Sequence, residues 1–125
     1  MKKFYTNENN NYIFESTIKG AGRGLFAGKD YKKGDIIDIN PFIEIVPRGN
    51  INSYSWNCPW NNSIALVVLG NINFINEPLN RNNVNSFIFH YDKINKKIMT
   101  KATKDIKKDE EIFTYYGKKY NRSNY

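Results

Sequence analysis

Gly20-Ala21-Gly22-Arg23-Gly24-Leu25-Phe26-Ala27 is the densest signal in the sequence. Glycine at alternate positions lets a backbone take positive φ and approach a ligand closely. Gly22-x-Gly24-x-x-Ala27 formally fits a dinucleotide fingerprint, but that fingerprint must open a helix. The next residues, Gly28-Lys29-Asp30-Tyr31-Lys32-Lys33-Gly34, have no helical apolar stripe, so a Rossmann reading fails. A phosphate loop ending in Gly-Lys-Ser/Thr is absent too. Taken alone, the stretch is satisfied by a glycine-rich turn between strands.

Outward from this loop the pattern is short β. Ile36 to Ile39 and Phe42 to Val46 are β-branched runs separated by Asn40-Pro41, which reads as two short strands. Pro47-Arg48-Gly49-Asn50 ends the second, and an irregular stretch to Asn62 holds Tyr54, Trp56 and Trp60. Ser63 to Gly70 is apolar throughout and fits either a buried strand or one or two helical turns. Phe87 to Tyr91 and Lys97 to Thr100 flank Asp92-Lys93-Ile94-Asn95, a hairpin by composition. Ile112 to Tyr116 is a late strand ending at Gly117. The class is therefore mostly β, without a long amphipathic helix. Residues 1–11 form a polar N-terminal segment, expected to be loosely attached, and residues 12–125 form one domain. An insert spans about 47–70, and a short tail spans 118–125.

The bulk properties bound the function. A chain of 125 residues, 40% hydrophobic and 15% aromatic, can bury one core and is too apolar to be disordered. No apolar run reaches the roughly 20 residues of a membrane span. The first residues turn polar at once, unlike a secretory leader. One cysteine, Cys58, and one histidine, His90, exclude a disulfide framework and a multi-cysteine zinc site. These features predict a soluble protein of the cell interior, nucleus or cytoplasm, with no structural metal. The net charge of +7 fits either plain solubility or attraction to a polyanion such as DNA or a nucleoprotein. Abundant Asn, Ile, Lys and Tyr match the codon bias of an AT-rich genome, which discounts part of that charge.

Three further features change the weight of the glycine loop. Asn73-Phe74-Ile75-Asn76-Glu77 puts an asparagine after an apolar pair. Ala102-Thr103-Lys104-Asp105-Ile106-Lys107-Lys108-Asp109-Glu110-Glu111-Ile112 echoes Ala27 to Ile37. Tyr115-Tyr116-Gly117 closes the last strand. In this order and spacing the chain resembles the SET domain of protein lysine methyltransferases, from about Ile18 to Tyr120, and is similar in size to the compact viral and bacterial members. The family's Gly-x-Gly-Leu/Val-Phe-Ala stretch is matched by Gly22 to Ala27. Its Phe-Ile-Asn-His signature is matched by Phe74-Ile75-Asn76-Glu77. Its Glu-Glu-Leu/Ile-x-x-x-Tyr-Gly block is matched by Glu110 to Gly117.

The resemblance implies a β-clip of several small sheets with short helical turns and a knot-like C-terminal crossing. It implies S-adenosyl-L-methionine as cofactor, bound by Gly22, Arg23, Gly24, Leu25, Asn76 and Glu77. It implies Tyr116 as the catalytic residue, Tyr54, Tyr120 and Thr114 along the substrate channel, and no metal. The partner implied is a protein with a target lysine, a histone or other nucleoprotein, and association through positive charge or as a homodimer is compatible with it. Two departures stand out. Glu77 replaces the signature histidine, so its neighbours must supply a donor such as a hydroxyl, an amide or a lysine. Thr114 replaces a Phe or Tyr, leaving more room for methyl groups. The competing reading is an inactive SET-fold module that binds lysine-bearing tails or nucleoprotein. His90 and most of the nine tyrosines read as structural, and Cys58 as a free thiol without nucleophilic context.

Overall fold

The structure, a computed structural model, describes residues 3–5, 9–47 and 56–116. Among these residues the strands are β1 (Phe4–Tyr5), β2 (Tyr12–Glu15), β3 (Arg23–Phe26), β4 (Ile36–Ile45), β5 (Trp56–Asn57), β6 (Ala65–Val68), β7 (Ser86–Asp92), β8 (Lys97–Ala102) and β9 (Glu111–Ile112). Two single-turn 3-10 helices, η1 (Asn71–Phe74) and η2 (Arg81–Asn83), precede β7. The strands form two antiparallel sheets, in the orders β1-β2-β3-β9 and β5-β6-β4-β8-β7. The expected mostly-β class of small sheets holds. The apolar run at 63–70 resolves as strand β6, and the hairpin expected around Asp92 is β7–β8.

Strand β4 differs from expectation. Asn40-Pro41 does not separate two strands, and one strand runs from Ile36 to Ile45. It changes partner at the proline: residues up to Pro41 pair with β8, and Phe42–Ile45 pair with β6. Proline there interrupts neither ladder. Its carbonyl accepts from the Leu69 N–H, and the next N–H, of Phe42, donates to the Lys96 carbonyl.

One core joins both sheets. Leu25, Ile37, Leu66, Ile98, Ile106 and Ile112 are all fully buried within it. Each contributes roughly 1.5–3 kcal/mol through removal of apolar surface from water. The two echoing segments meet across this core. Tyr31 and Ile106 form a reciprocal bridge, donating N–H to each other's carbonyl at 2.7 and 2.8 Å. Asp105 accepts from the Lys33 N–H, and Asp30 accepts from the Lys108 N–H in the equivalent place. Gly34 and Asp109 both take positive φ at matching positions. The sequence echo is thus a paired, pseudo-symmetric turn.

The polar N-terminal segment is also tied down more firmly than its composition suggests. β1 pairs with β2, and Asn11 is fully buried. The Asn11 amide donates to the Ile37 carbonyl at 3.2 Å, and its side-chain oxygen accepts from the Gly28 N–H and the Tyr31 hydroxyl. An asparagine whose donor and acceptor both find partners can be buried at little cost, a condition invisible in composition. Burial is also the chief reason the Tyr31 hydroxyl is pushed above its ordinary pKa, which keeps it a donor to Asn11.

This attachment depends on Gly28. A Cβ at Gly28 would lie 2.1 Å from the Asn10 carbonyl carbon and 2.3 Å from the Asn9 carbonyl oxygen, both backbone atoms. Gly28→Ala is therefore expected to destabilise the protein by about 2 kcal/mol or more. Denaturant unfolding should show a lowered midpoint. An unchanged midpoint would mean the 9–11 segment is not packed as described.

Candidate functional site

The C-terminal segment after Glu110 builds the site. β9 pairs with β3 on one side, and Phe113 bridges Asn76 in parallel on the other. Asn85 holds the same segment at two points: its amide donates to the Glu111 carbonyl, and its side-chain oxygen accepts from the Phe113 N–H. The Ser86 hydroxyl donates to the Phe113 carbonyl at 2.7 Å. Residues 111–116 are thereby gripped by three segments remote in sequence. Asn76, Glu77, Thr114 and Tyr116 converge at that crossing.

Glu111 is its hub, although sequence reasoning gave it no role. The residue is 5% exposed. Its carboxylate accepts from the Ser16 hydroxyl at 2.8 Å, the Thr17 N–H at 2.7 Å, the Thr17 hydroxyl at 2.6 Å and the Asn76 amide at 3.3 Å. Among the described residues no cation pairs with it, so hydrogen bonds alone compensate its burial. The signal that could have found it is a doubled glutamate, Glu110-Glu111, entering a strand whose neighbours face opposite sides.

Glu111 also explains one of the glycines. A Cβ at Gly24 would lie 2.3 Å from Glu111 Oε2 and 3.3 Å from Asn76 Nδ2. The need for glycine at 24 is thus set by an internal contact. At Gly20 and Gly22 it is set by conformation instead, since both take positive φ with open space where a side chain would sit. Gly22 accepts from the Ser16 N–H through its carbonyl. The Leu25 side chain is fully buried in the core, and Arg23 is exposed. Any ligand contact made by Leu25 therefore runs through its backbone.

Asn76 joins these parts. Its Nδ2 donates to the Arg23 carbonyl at 2.9 Å as well as to Glu111. Two acceptors on one side fix the orientation of the amide. Its Oδ1 has no protein donor among the described residues and is not sealed from solvent.

Glu77 is 6% exposed, and its carboxylate accepts the Tyr116 N–H at 2.8 Å. A backbone amide therefore supplies one donor to the carboxylate at this position. The Tyr116 hydroxyl donates to the Ile75 carbonyl at 2.8 Å. Tyr115 goes to a different partner, with the Arg81 guanidinium 4.0 Å from its ring centroid. Thr114 is buried, its N–H donating to the Asn76 carbonyl and its hydroxyl to the Ser86 carbonyl at 3.3 Å. Tyr54, Gly117 and Tyr120 lie outside the described residues. Cys58 is a buried free thiol, and no group of three or more His, Cys, Asp or Glu side chains capable of holding a metal occurs among the described residues.

Comparison with known proteins places this arrangement. The SET domain family matches residues 22–117. No curated protein matches the chain in sequence. Among solved structures, a candidate histone methyltransferase of Plasmodium falciparum is similar at a TM-score of 0.68 and 27% identity, over 88% of this chain and 95% of that one. Polycomb repressive complex 2 of Chaetomium thermophilum, bound to S-adenosylmethionine, is similar at a TM-score of 0.67 and 26% identity. That match covers 84% of this chain but only 15% of the larger one. The methyltransferase domain of human PR domain-containing protein 2 shares the fold, at a TM-score of 0.65 and 21% identity over 94% of this chain and 83% of that one. With the family match spanning most of the sequence, and methyltransferases among its structural neighbours, the chain belongs to the SET domain family.

Proposed function

We propose that the protein is an S-adenosylmethionine-dependent protein-lysine N-methyltransferase acting on a histone or another intracellular nucleoprotein. The observation that carries this reading is the meeting of Asn76 and Tyr116 at one crossing, each fixed by its own hydrogen bonds. The residues present fit the cofactor. The oriented Asn76 amide leaves an acceptor for an ammonium, the Arg23 carbonyl and Gly24 lie against that amide, and Gly20 and Gly22 just before them take positive φ. Gly22, Arg23, Gly24, Leu25, Asn76 and the Glu77 backbone would hold it. When bound, it supplies a methyl group on a sulfonium.

The chain's own contribution is to present a lysine as the nucleophile. Free lysine has a pKa near 10.4, so the neutral amine is scarce at neutral pH. A narrow channel of aromatic walls disfavours the ammonium by desolvation. Tyr54 and Tyr120 are the proposed walls, and Thr114 leaves room for more than one methyl group. Tyr116 orients the amine through its hydroxyl. A phenol with a pKa near 10 is a poor base at neutral pH, so the proton leaves to water. Holding the amine in line is worth several kcal/mol of the barrier. Because the chain and histone tails are both basic, long-range repulsion slows their encounter, which favours a substrate presented on a nucleoprotein.

The test is a calorimetric titration with S-adenosylmethionine, followed by transfer of labelled methyl groups to core histones and to a mixed protein extract, with and without chelator. Binding with chelator-resistant turnover is expected. Binding without turnover would identify an inactive lysine-tail module, and absence of binding would overturn the cofactor assignment. In the same titration Asn76→Ala should weaken cofactor affinity about tenfold, from loss of a polar partner and of the Glu111 contact. Unchanged affinity would remove Asn76 from the cofactor site.

A further inference from the structure

We propose that Glu77 is a positioning residue for Tyr116, a role that rests on the methyltransferase reading above and extends it. The side chain, and not only the backbone, of the residue after Asn76 then serves the reaction. Parallel pairing between this segment and the C-terminal strand reaches only a short way. It comprises the Asn76–Phe113 bridge and the Thr114 N–H donating to the Asn76 carbonyl at 3.0 Å. Pro78 comes directly after Glu77 and holds it in extended geometry. Two residues beyond Thr114, at Tyr116, the Glu77 carboxylate takes the N–H.

The result is a clamp on Tyr116 from two residues that flank Asn76. Ile75 takes its hydroxyl and Glu77 takes its main-chain N–H, both at 2.8 Å. Fixing only the hydroxyl would leave the ring free to pivot about that oxygen. Fixing the main chain as well sets where the ring starts and where it ends. The Glu77 side chain is buried, which limits the competition of water for that bond. Misplacing a reacting group by an ångström can cost about a hundredfold in rate, so a clamp of this kind acts on turnover. Cofactor binding, carried by Asn76, the glycine loop and the Glu77 backbone, does not use the Glu77 carboxylate and is left nearly untouched.

The experiment compares wild type, Glu77→Gln and Glu77→Met. Gln keeps an acceptor, and Met keeps the volume without one. Two readouts are taken. The first is hydrogen exchange of the Tyr116 amide by NMR in the cofactor-free protein. The second is methyl transfer to core histones at saturating cofactor, with the cofactor Kd measured separately. In Glu77→Met the Tyr116 amide should exchange about tenfold faster and kcat should fall about tenfold, while Kd changes less than about threefold. Glu77→Gln should stay within about threefold of wild type in both readouts. The proposal is overturned if Glu77→Met leaves Tyr116 exchange and kcat unchanged, or if Glu77→Gln falls as far as Glu77→Met. It is also overturned if Kd rises as much as kcat falls. Should Glu77→Met fail to fold, Glu77→Ala takes its place under the same criteria, again compared with Glu77→Gln. A wild-type protein that protects the Tyr116 amide but transfers no methyl group refutes the enzymatic reading and leaves the clamp standing.

Discussion

Tyr116→Phe is expected to lower kcat for methyl transfer by about a hundredfold or more while cofactor affinity stays within about twofold. The substitution removes one oxygen atom and preserves the ring. In the structure that oxygen donates to the Ile75 carbonyl, and a phenol that donates one bond can still accept another, in the proposed reaction from the lysine amine. In the proposed reaction the hydroxyl acts at the reacting nitrogen, so its loss would raise the barrier without weakening the ground-state complex with cofactor. Folding should lose only about 1 kcal/mol, since the bond is part-buried and Tyr116 itself is half-buried. Single-turnover kinetics with bound cofactor check this directly. A Tyr116→Phe protein that transfers methyl groups at the wild-type rate would sink the catalytic assignment. Equal losses in rate and in thermal stability would show the hydroxyl to be structural.

The largest effect on stability is expected at Glu111. Glu111→Ala removes the acceptor shared by the Ser16 hydroxyl, both Thr17 donors and the Asn76 amide, and leaves them around a cavity. Buried donors without partners cost about 1–3 kcal/mol each, partly recovered where water can enter, so a loss of about 3 kcal/mol or more is expected. For a chain of this size that corresponds to a fall of roughly 10 °C in Tm. Glu111→Gln should cost less, because an amide still offers one acceptor. Its NH2 must then face either Thr17 or Asn76, a donor against a donor. If it faces Asn76, that amide turns over and cofactor affinity falls with little change in Tm. Differential scanning calorimetry of the two variants, with cofactor titrations, separates these effects. A Glu111→Ala protein as stable as wild type would mean the carboxylate is not the hub of the crossing.

Much of the fold was legible in the sequence because short-range chemistry writes it. Alternation in Lys97–Ala102 puts Ile98, Thr100 and Ala102 inside, and an aspartate turn closes the hairpin through Asp92. The echo of Ala27–Ile37 in Ala102–Ile112 marked two turns that the structure pairs through Tyr31 and Ile106. Readings that went astray did so where a partner remote in sequence decides. Proline normally ends a strand, yet Pro41 lies inside β4 because the strand changes partners there. A polar Asn-rich start normally frays, yet Asn11 is buried because Ile37, Gly28 and Tyr31 satisfy its amide.

The same division runs through the candidate site. Gly22, Gly24, Asn76 and Tyr116 could be singled out from sequence, because glycine spacing and a Tyr-Gly strand end are local patterns. What each side chain touches was not in the sequence. The identity of residue 24 is set by the Glu111 carboxylate, 87 positions away, and the anchoring of Tyr116 by Ile75 and Glu77, about 40 positions away. Residue type and periodicity therefore determined a small basic mostly-β domain, and the order of its motifs carried the resemblance to the SET domain. Only the tertiary structure decided that Glu111 holds the crossing together and that Glu77 faces the Tyr116 amide. Hydrogen bonds and close contacts depend on separation in space, and the chain brings these residues together only once its C-terminal strand lies between β3 and the Asn76 segment.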